Sequence, residues 1–163
     1  MKKMKKYILS FAVSFLLIGN ALSQVKKVNT DIFGDFEVIV KIDNGTVTIS
    51  STGEIIDVDM DGSVNYYYND YPERNGKIKS NGSTTFNYYY SDYPERNGKI
   101  KSIGSTSINY YYSDYPERNG KIKSIGAASF NYYYNDYPER NGKLASGERV
   151  SISDGITFKL KGG

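Results

Sequence analysis

The residues of this chain that could do chemistry recur at a fixed interval. The unit N-Y-Y-Y-[NS]-D-Y-P-E-R-N-G-K begins at Asn65, Asn87, Asn109 and Asn131, a step of 22 residues, and the four copies hold sixteen of the seventeen tyrosines and all four prolines. Planar rings beside amides and ammonium groups suit stacking on a sugar, contact with a peptide or capture of an anionic polymer. Repetition adds avidity to contacts that are individually weak. The candidate ligand-binding residues are the middle tyrosines Tyr67, Tyr89, Tyr111 and Tyr133, the amides Asn87 and Asn109, and the lysines Lys79, Lys101 and Lys123. The competing reading is that tyrosine serves here as a strand former that tolerates water, with the lysines as solvated charges.

A second pattern, Asp57-Val58-Asp59-Met60-Asp61-Gly62, places oxygen ligands at positions 1, 3 and 5 and glycine at position 6 of a calcium-type loop, which nominates Asp57, Asp59 and Asp61 for weak calcium binding. Position 12 is Tyr68, where a bidentate carboxylate belongs. The alternative is a β-strand with Ile56, Val58 and Met60 inward and the aspartates outward. The four Glu-Arg pairs, Glu73-Arg74 to Glu139-Arg140, fall at loop tips, where opposite charges serve solubility or recognition. Catalysis is disfavoured. The chain has no histidine or cysteine, and its recurring carboxylates, lysines and tyrosines occupy equivalent repeat positions, whereas an active site needs unlike groups in one pocket. No cofactor is expected.

These side chains must be positioned by strands. Thr85–Ser91 is aromatic and β-prone, Asp92–Gly98 is dense in turn formers, and Lys99–Ser102 alternates charged and uncharged residues. Each unit therefore reads as strand, five-residue Pro-Glu-Arg-Asn-Gly turn and returning strand, with a second turn at Gly104-Ser105-Thr106. A three-residue loop there puts Ile100, Ile108, Tyr110 and Tyr112 on one face, and Lys99, Lys101, Asn109, Tyr111 and Ser113 on the other. The middle tyrosines then form an exposed ladder, with equivalent residues roughly 9.6 Å apart at two strand spacings. The flanking sequence supplies atypical caps. Strands at Glu37–Ile42, Thr46–Ile49 and Gly53–Ile56 lead in, and Arg149–Ser153 with Ile156–Leu160 form a closing hairpin.

The N-terminus indicates a compartment. Four lysines within residues 1–6, an apolar run over Tyr7–Gly19 and the small-x-small site Ala21-Leu22-Ser23 describe a secretory signal peptide too short to span a bilayer. Removing those four lysines turns the formal charge of +3 into −1, 17 basic against 18 acidic residues, so a nucleic-acid footprint is not expected. The organisation is thus a signal peptide at 1–23, an N-terminal β cap at 24–64, four repeats at 65–146 and a closing hairpin at 147–163. The mature chain carries no transmembrane helix candidate. An outer-membrane barrel is disfavoured, because its strands run near ten residues with lipid-facing apolar bands.

Tyr90-Ser91-Asp92 followed by Gly98-Lys99-Ile100-Lys101-Ser102-Ile103 resembles the YD-repeat (RHS-type) family of secreted bacterial β-hairpin repeats, over residues 65 to 145. The resemblance implies a curling β-hairpin strip at a bacterial surface. Together these readings predict an all-β protein, an antiparallel β-hairpin repeat meander forming a single curled sheet or β-roll. Its expected role is non-catalytic binding or adhesion in the periplasm, at the cell surface or in the medium. A glycan or other envelope polymer is the expected partner. The alternative is a structural component that self-associates.

Overall fold

The computed structural model describes residues 36–42 and 45–145, and the backbone of 156–160. The expected signal peptide and the strand expected at 149–153 lie outside the described residues. Every described regular element is a strand. These are β1 (Phe36–Ile42), β2 (Gly45–Ser50), β3 (Ile55–Met60), β4 (Val64–Tyr66), β5 (Ile78–Asn81), β6 (Thr84–Tyr88), β7 (Ile100–Ile103), β8 (Thr106–Tyr110), β9 (Ile122–Ile125), β10 (Ala128–Ser129) and β11 (Ile156–Leu160).

The single sheet expected from the sequence is corrected to two. The repeats build a seven-stranded antiparallel meander, β10-β9-β8-β7-β6-β5-β4, while the caps form their own four-stranded sheet, β11-β1-β2-β3. β11 pairs antiparallel with β1, Val38 opposite Phe158, so the last described strand closes against the first. The two sheets share one core. Phe36, Val38, Val40, Val47 and Ile49 of the cap are buried in the same cluster as Phe86, Tyr88, Ile100, Ile103, Ile108, Tyr110, Ile122, Ile125, Phe130 and Tyr132 of the repeats. The Phe36 and Phe130 rings lie parallel with centroids 5.1 Å apart, and the Ile122 N–H donates to the Ser51 carbonyl at 3.0 Å. Each large side chain so buried contributes about 1.5–3 kcal/mol. The apolar face of the meander is thus covered by the cap rather than by its own curling.

The register differs from the expected one in two compensating ways. The connecting loop has two residues, with Ile103 opposite Thr106 and Ser102 opposite Ser107. Gly82, Gly104 and Gly126 at its first central position take φ of 53°, 55° and 54°, the conformation a type II′ turn requires there. Such a loop should put Lys101 on the same face as Ile108. A β-bulge prevents this. Asn87 pairs with Ser102 but Tyr88 pairs with Ile100, leaving Lys101 as the extra residue; Lys79 and Lys123 are skipped in the same way. Ile100 and Ile103, three apart, therefore both point into the core while Lys101 stays exposed. A comparable register shift at Ile49 lets Ile55 rather than Ile56 join Val58 and Met60 at the core.

Stacking of repeats is visible in the glycine of each Asn-Gly-Lys. Gly76, Gly98, Gly120 and Gly142 all have φ near 76°, where any side chain is strained. A Cβ on Gly120 would also lie 3.0 Å from the Glu95 carbonyl oxygen of the preceding repeat, whereas one on Gly76 meets nothing within 4 Å. Gly76→Ala should therefore cost only the backbone term, about 1–2 kcal/mol. Gly120→Ala should cost clearly more. Urea unfolding of the two variants checks this, and equal losses would contradict the repeat-to-repeat packing.

Candidate functional site

The chemistry-bearing residues sit in a loop longer than the five residues predicted. The strand stops at Tyr88, not at Ser91, because Ser91 turns the chain with φ of 49°, as do Asn69, Ser113 and Asn135 at the equivalent position. Asp92 Oδ1 then accepts the Tyr93 N–H at 2.6 Å and Arg96 Nε at 2.8 Å. The Tyr93 carbonyl accepts the N–H groups of Arg96 and Asn97, a single helical turn that Gly98 ends. Gly98 N–H returns to the Tyr89 carbonyl and Tyr89 N–H donates to the Lys99 carbonyl, which closes the loop on the middle tyrosine. Proline suits this turn because its φ is already helical and no N–H is needed there.

The middle tyrosines are not the exposed ladder the sequence predicts. Tyr67 and Tyr89 are buried, and Tyr111 and Tyr133 are half-buried. For Tyr67, Tyr89 and Tyr111 the strand ends one residue before, so strand alternation no longer sets their direction. The first three reach into the next repeat instead: the hydroxyls of Tyr67, Tyr89 and Tyr111 donate to the carbonyls of Phe86, Ile108 and Phe130 at 3.0, 3.1 and 3.0 Å. Their rings meet the first tyrosine of that repeat edge-on, as Tyr89 meets Tyr110 at 5.9 Å. The exposed rings, joined in the first copy by Tyr66, are the third tyrosine and the one after aspartate, Tyr90 and Tyr93 in the second copy. These pair across repeats, Tyr71 with Tyr90 at 4.4 Å, Tyr93 with Tyr112 at 4.7 Å and Tyr115 with Tyr134 at 4.5 Å. The Ser or Asn between the third tyrosine and the aspartate, Ser91 in the second copy with φ of 49°, is the sequence signal that marks where alternation ends.

Of the other expected residues, Asn87, Lys101 and Asn109 come together, while Lys79 and Lys123 lie outside their groove. Asn87, Tyr89, Lys101 and Asn109 line one outer groove of about 360 Å³, together with Arg74, Tyr88, Tyr90, Ser102 and Ser107. Asn87 Nδ2 donates to Ser102 Oγ at 2.9 Å and Asn109 Nδ2 to Ser124 Oγ at 3.0 Å, a polar ladder repeated along the sheet. The bulged lysines lie over the middle rings, Lys79 5.8 Å from Tyr67, Lys101 5.5 Å from Tyr89 and Lys123 5.5 Å from Tyr111. Asp57 and Asp59 are exposed on β3, opposite Thr48 and Thr46, so this stretch runs as a strand rather than a calcium-type loop. Asp61 follows it beside Gly62. Among the described residues no group of three or more carboxylates is arranged to hold a metal ion.

A larger cleft of about 540 Å³ lies between the cap turn at Gly53–Ile55 and the first two repeats, lined by Lys77, Lys99, Tyr66 and Tyr88 among others. Burial pushes the ammonium groups of Lys77 and Lys99 below the usual lysine range. Both are committed to the stack, Lys77 donating to the Gly98 carbonyl and Lys99 to that of Gly120, as Lys121 does to Gly142. The Glu-Arg pairs at the loop tips are not partners of each other. Arg96 pairs with Asp92, while Glu73 accepts Asn97 Nδ2 of the next repeat at 3.0 Å.

Comparison with protein-family models, curated proteins and solved structures yields no match.

Two outcomes follow from these contacts. Tyr89→Ser removes a buried ring and a bonded hydroxyl and should destabilise by about 3 kcal/mol, whereas Tyr90→Ser should cost well under half of that; thermal unfolding of both variants decides which ring is structural. The second concerns acid. The hydrogen bond from Arg74, then the Tyr71 N–H, holds the Asp70 carboxyl below its ordinary value, and the Tyr137 N–H leads the same effect at Asp136. At Asp92 and Asp114 burial pushes upward, but the N–H of Tyr93 or Tyr115 and the neighbouring arginine outweigh it. A folded carboxyl with a depressed pKa stabilises fully above the unfolded value of about 4 and loses that contribution as pH falls through the folded value. Melting temperature should hold between pH 7 and about 5 and fall below about 4, less steeply in an Asp92→Asn, Asp114→Asn variant.

Proposed function

We propose that this is an exported, non-catalytic binding protein that holds an extended polyhydroxylated polymer, a glycan of the bacterial envelope, along the outer face of its repeat sheet. The observation that carries this reading is the groove of Asn87, Tyr89, Tyr90, Lys101 and Asn109 with Arg74 at its edge. Amide ladders, an ammonium group beside a ring and exposed tyrosine edges are groups that bind sugar hydroxyls and ring faces. The Asn–Ser pair and the lysine over its tyrosine recur in the first three copies, so neighbouring subsites stand roughly 9.6 Å apart, two strand spacings. A polymer whose own repeat is near that length engages several subsites at once, and avidity multiplies contacts that are weak singly. The leader-like N-terminus and the resemblance to secreted hairpin repeats support export. The repetition of equivalent groups from copy to copy supports binding over catalysis.

The bulged lysines provide the test, because each is exposed and none closes a repeat-to-repeat contact. The triple variant Lys79→Ala, Lys101→Ala, Lys123→Ala should melt within a few degrees of the parent and bind envelope polysaccharide at least about tenfold more weakly, the equivalent of 1.4 kcal/mol. A glycan array followed by calorimetry on the best polysaccharide reads both quantities. Retention of full affinity by the triple variant would reject the groove.

A further inference from the structure

Every contact between neighbouring repeats joins two unlike surfaces, a rear surface on one unit and a front surface on the next. Arg96 stands 3.8 Å from the centroid of Tyr112 and Arg118 3.8 Å from that of Tyr134. Asn119 and Asn141 reach back to Glu95 and Glu117 at 3.5 and 3.4 Å. Because the units are nearly identical, the front of the first repeat and the rear of the fourth are complementary to each other.

Each terminal surface carries side chains more exposed than their internal equivalents, while Tyr133 and Lys143 at the rear stay half-buried as Tyr111 and Lys121 do. At the front, Tyr68 is 83% exposed where its equivalents Tyr90, Tyr112 and Tyr134, each under an arginine of the preceding unit, are 36–39% exposed. Asn75 is exposed where Asn97, Asn119 and Asn141 are half-buried, and a Cβ on Gly76 meets nothing within 4 Å. At the rear, Tyr137 is 64% exposed against 46–49% for Tyr71, Tyr93 and Tyr115. The Arg140 side chain is 37% exposed against 15–17% for Arg74, Arg96 and Arg118. Glu139 is exposed where the glutamates of the earlier copies are half-buried.

We propose that the protein associates head to tail with further copies of itself, the rear of the fourth repeat docking on the front of the first by the arginine–tyrosine, tyrosine–tyrosine and glutamate–asparagine contacts that join loops of neighbouring repeats within the chain. Arg140 and Tyr137 of one copy cover Tyr68 of the next, and Glu139 accepts the Asn75 amide. The occupant is a second copy because the matching surface is one this chain carries and already uses three times internally. Such an interface is heterologous, so each added copy regenerates the open surface and growth continues as a filament unless the rotation closes a ring. The edge of β4, whose Val64 and Tyr66 are also exposed, lies on the same end.

The test needs no ligand, so it stands or falls apart from the groove. Sedimentation velocity of the purified protein should show a weight-average mass that rises with concentration beyond that of a dimer. Tyr68→Ser, which spoils only the front, and Arg140→Glu, which spoils only the rear, should each remain monomeric with a native circular dichroism spectrum; Tyr137→Ser is a second rear variant should Arg140→Glu loosen its own loop. Mixing a front variant with a rear variant should give a discrete dimer and nothing larger, because one intact front meets one intact rear. A parent protein that stays monomeric at all concentrations, variants that still assemble alone, or a mixture that yields no dimer would each overturn the proposal.

Discussion

The arginine of each Pro-Glu-Arg-Asn-Gly loop is the point on which the rest of the repeat array depends. Arg96 is bonded to Asp92 at 2.8 Å, stands 4.6 Å from the centroid of its own Tyr89 and 3.8 Å from that of Tyr112 in the next unit. A guanidinium can do all three because it is planar, permanently charged and weakly enough hydrated to stack while its edge donates hydrogen bonds. A lysine at that place would keep the charge but lose the fork and the flat face. The loop conformation, the burial of the middle tyrosine and the pairing of outer tyrosines all meet at this one side chain.

Two kinds of cohesion hold the molecule. Across the sheets, the apolar side chains of the cap and the repeats fill one core, with Phe36 stacked on Phe130. Along the array, each unit is fastened to the next by side chains that end on backbone carbonyls: the middle tyrosine hydroxyl on the carbonyl before the next asparagine, and the lysine on the next glycine. The second kind makes the sequence repetition a physical requirement. A contact between equivalent positions of adjacent units holds only if both units carry the matching residue, so the near identity of Asp-Tyr-Pro-Glu-Arg-Asn-Gly-Lys has a structural cause.

That cause also narrows where function can reside. Residues consumed by the stack, such as Tyr89 and Lys99, vary little in environment from copy to copy because they are internal. The groups left facing outward are the Asn–Ser pairs, the bulged lysines and the edges of the third and fourth tyrosines. The bulge has a double effect: it keeps the second isoleucine of Ile-Lys-Ser-Ile in the core and holds the lysine over a ring on the outer face.

The sequence by itself determined the period, the all-β class, the hairpin identity of each repeat, the cap strands near Glu37–Ile42 and Thr46–Ile49, and the inward face of Ile100, Ile108 and Tyr110. These follow from local chemistry: proline and Asn-Gly mark turns, and alternation marks a half-buried strand. Only the tertiary structure decided that the cap folds as a separate sheet over the repeats, that the connecting loop has two residues with a bulge at Lys101, and that Tyr89 is buried while Tyr90 is not. Alternation carries no information past a bulge or an αL residue, since each resets the direction of the side chains that follow. The environment of Tyr89 is set by Ile108, Asn109 and Tyr110, residues of the next repeat that are distant in sequence and come near only once two units have stacked.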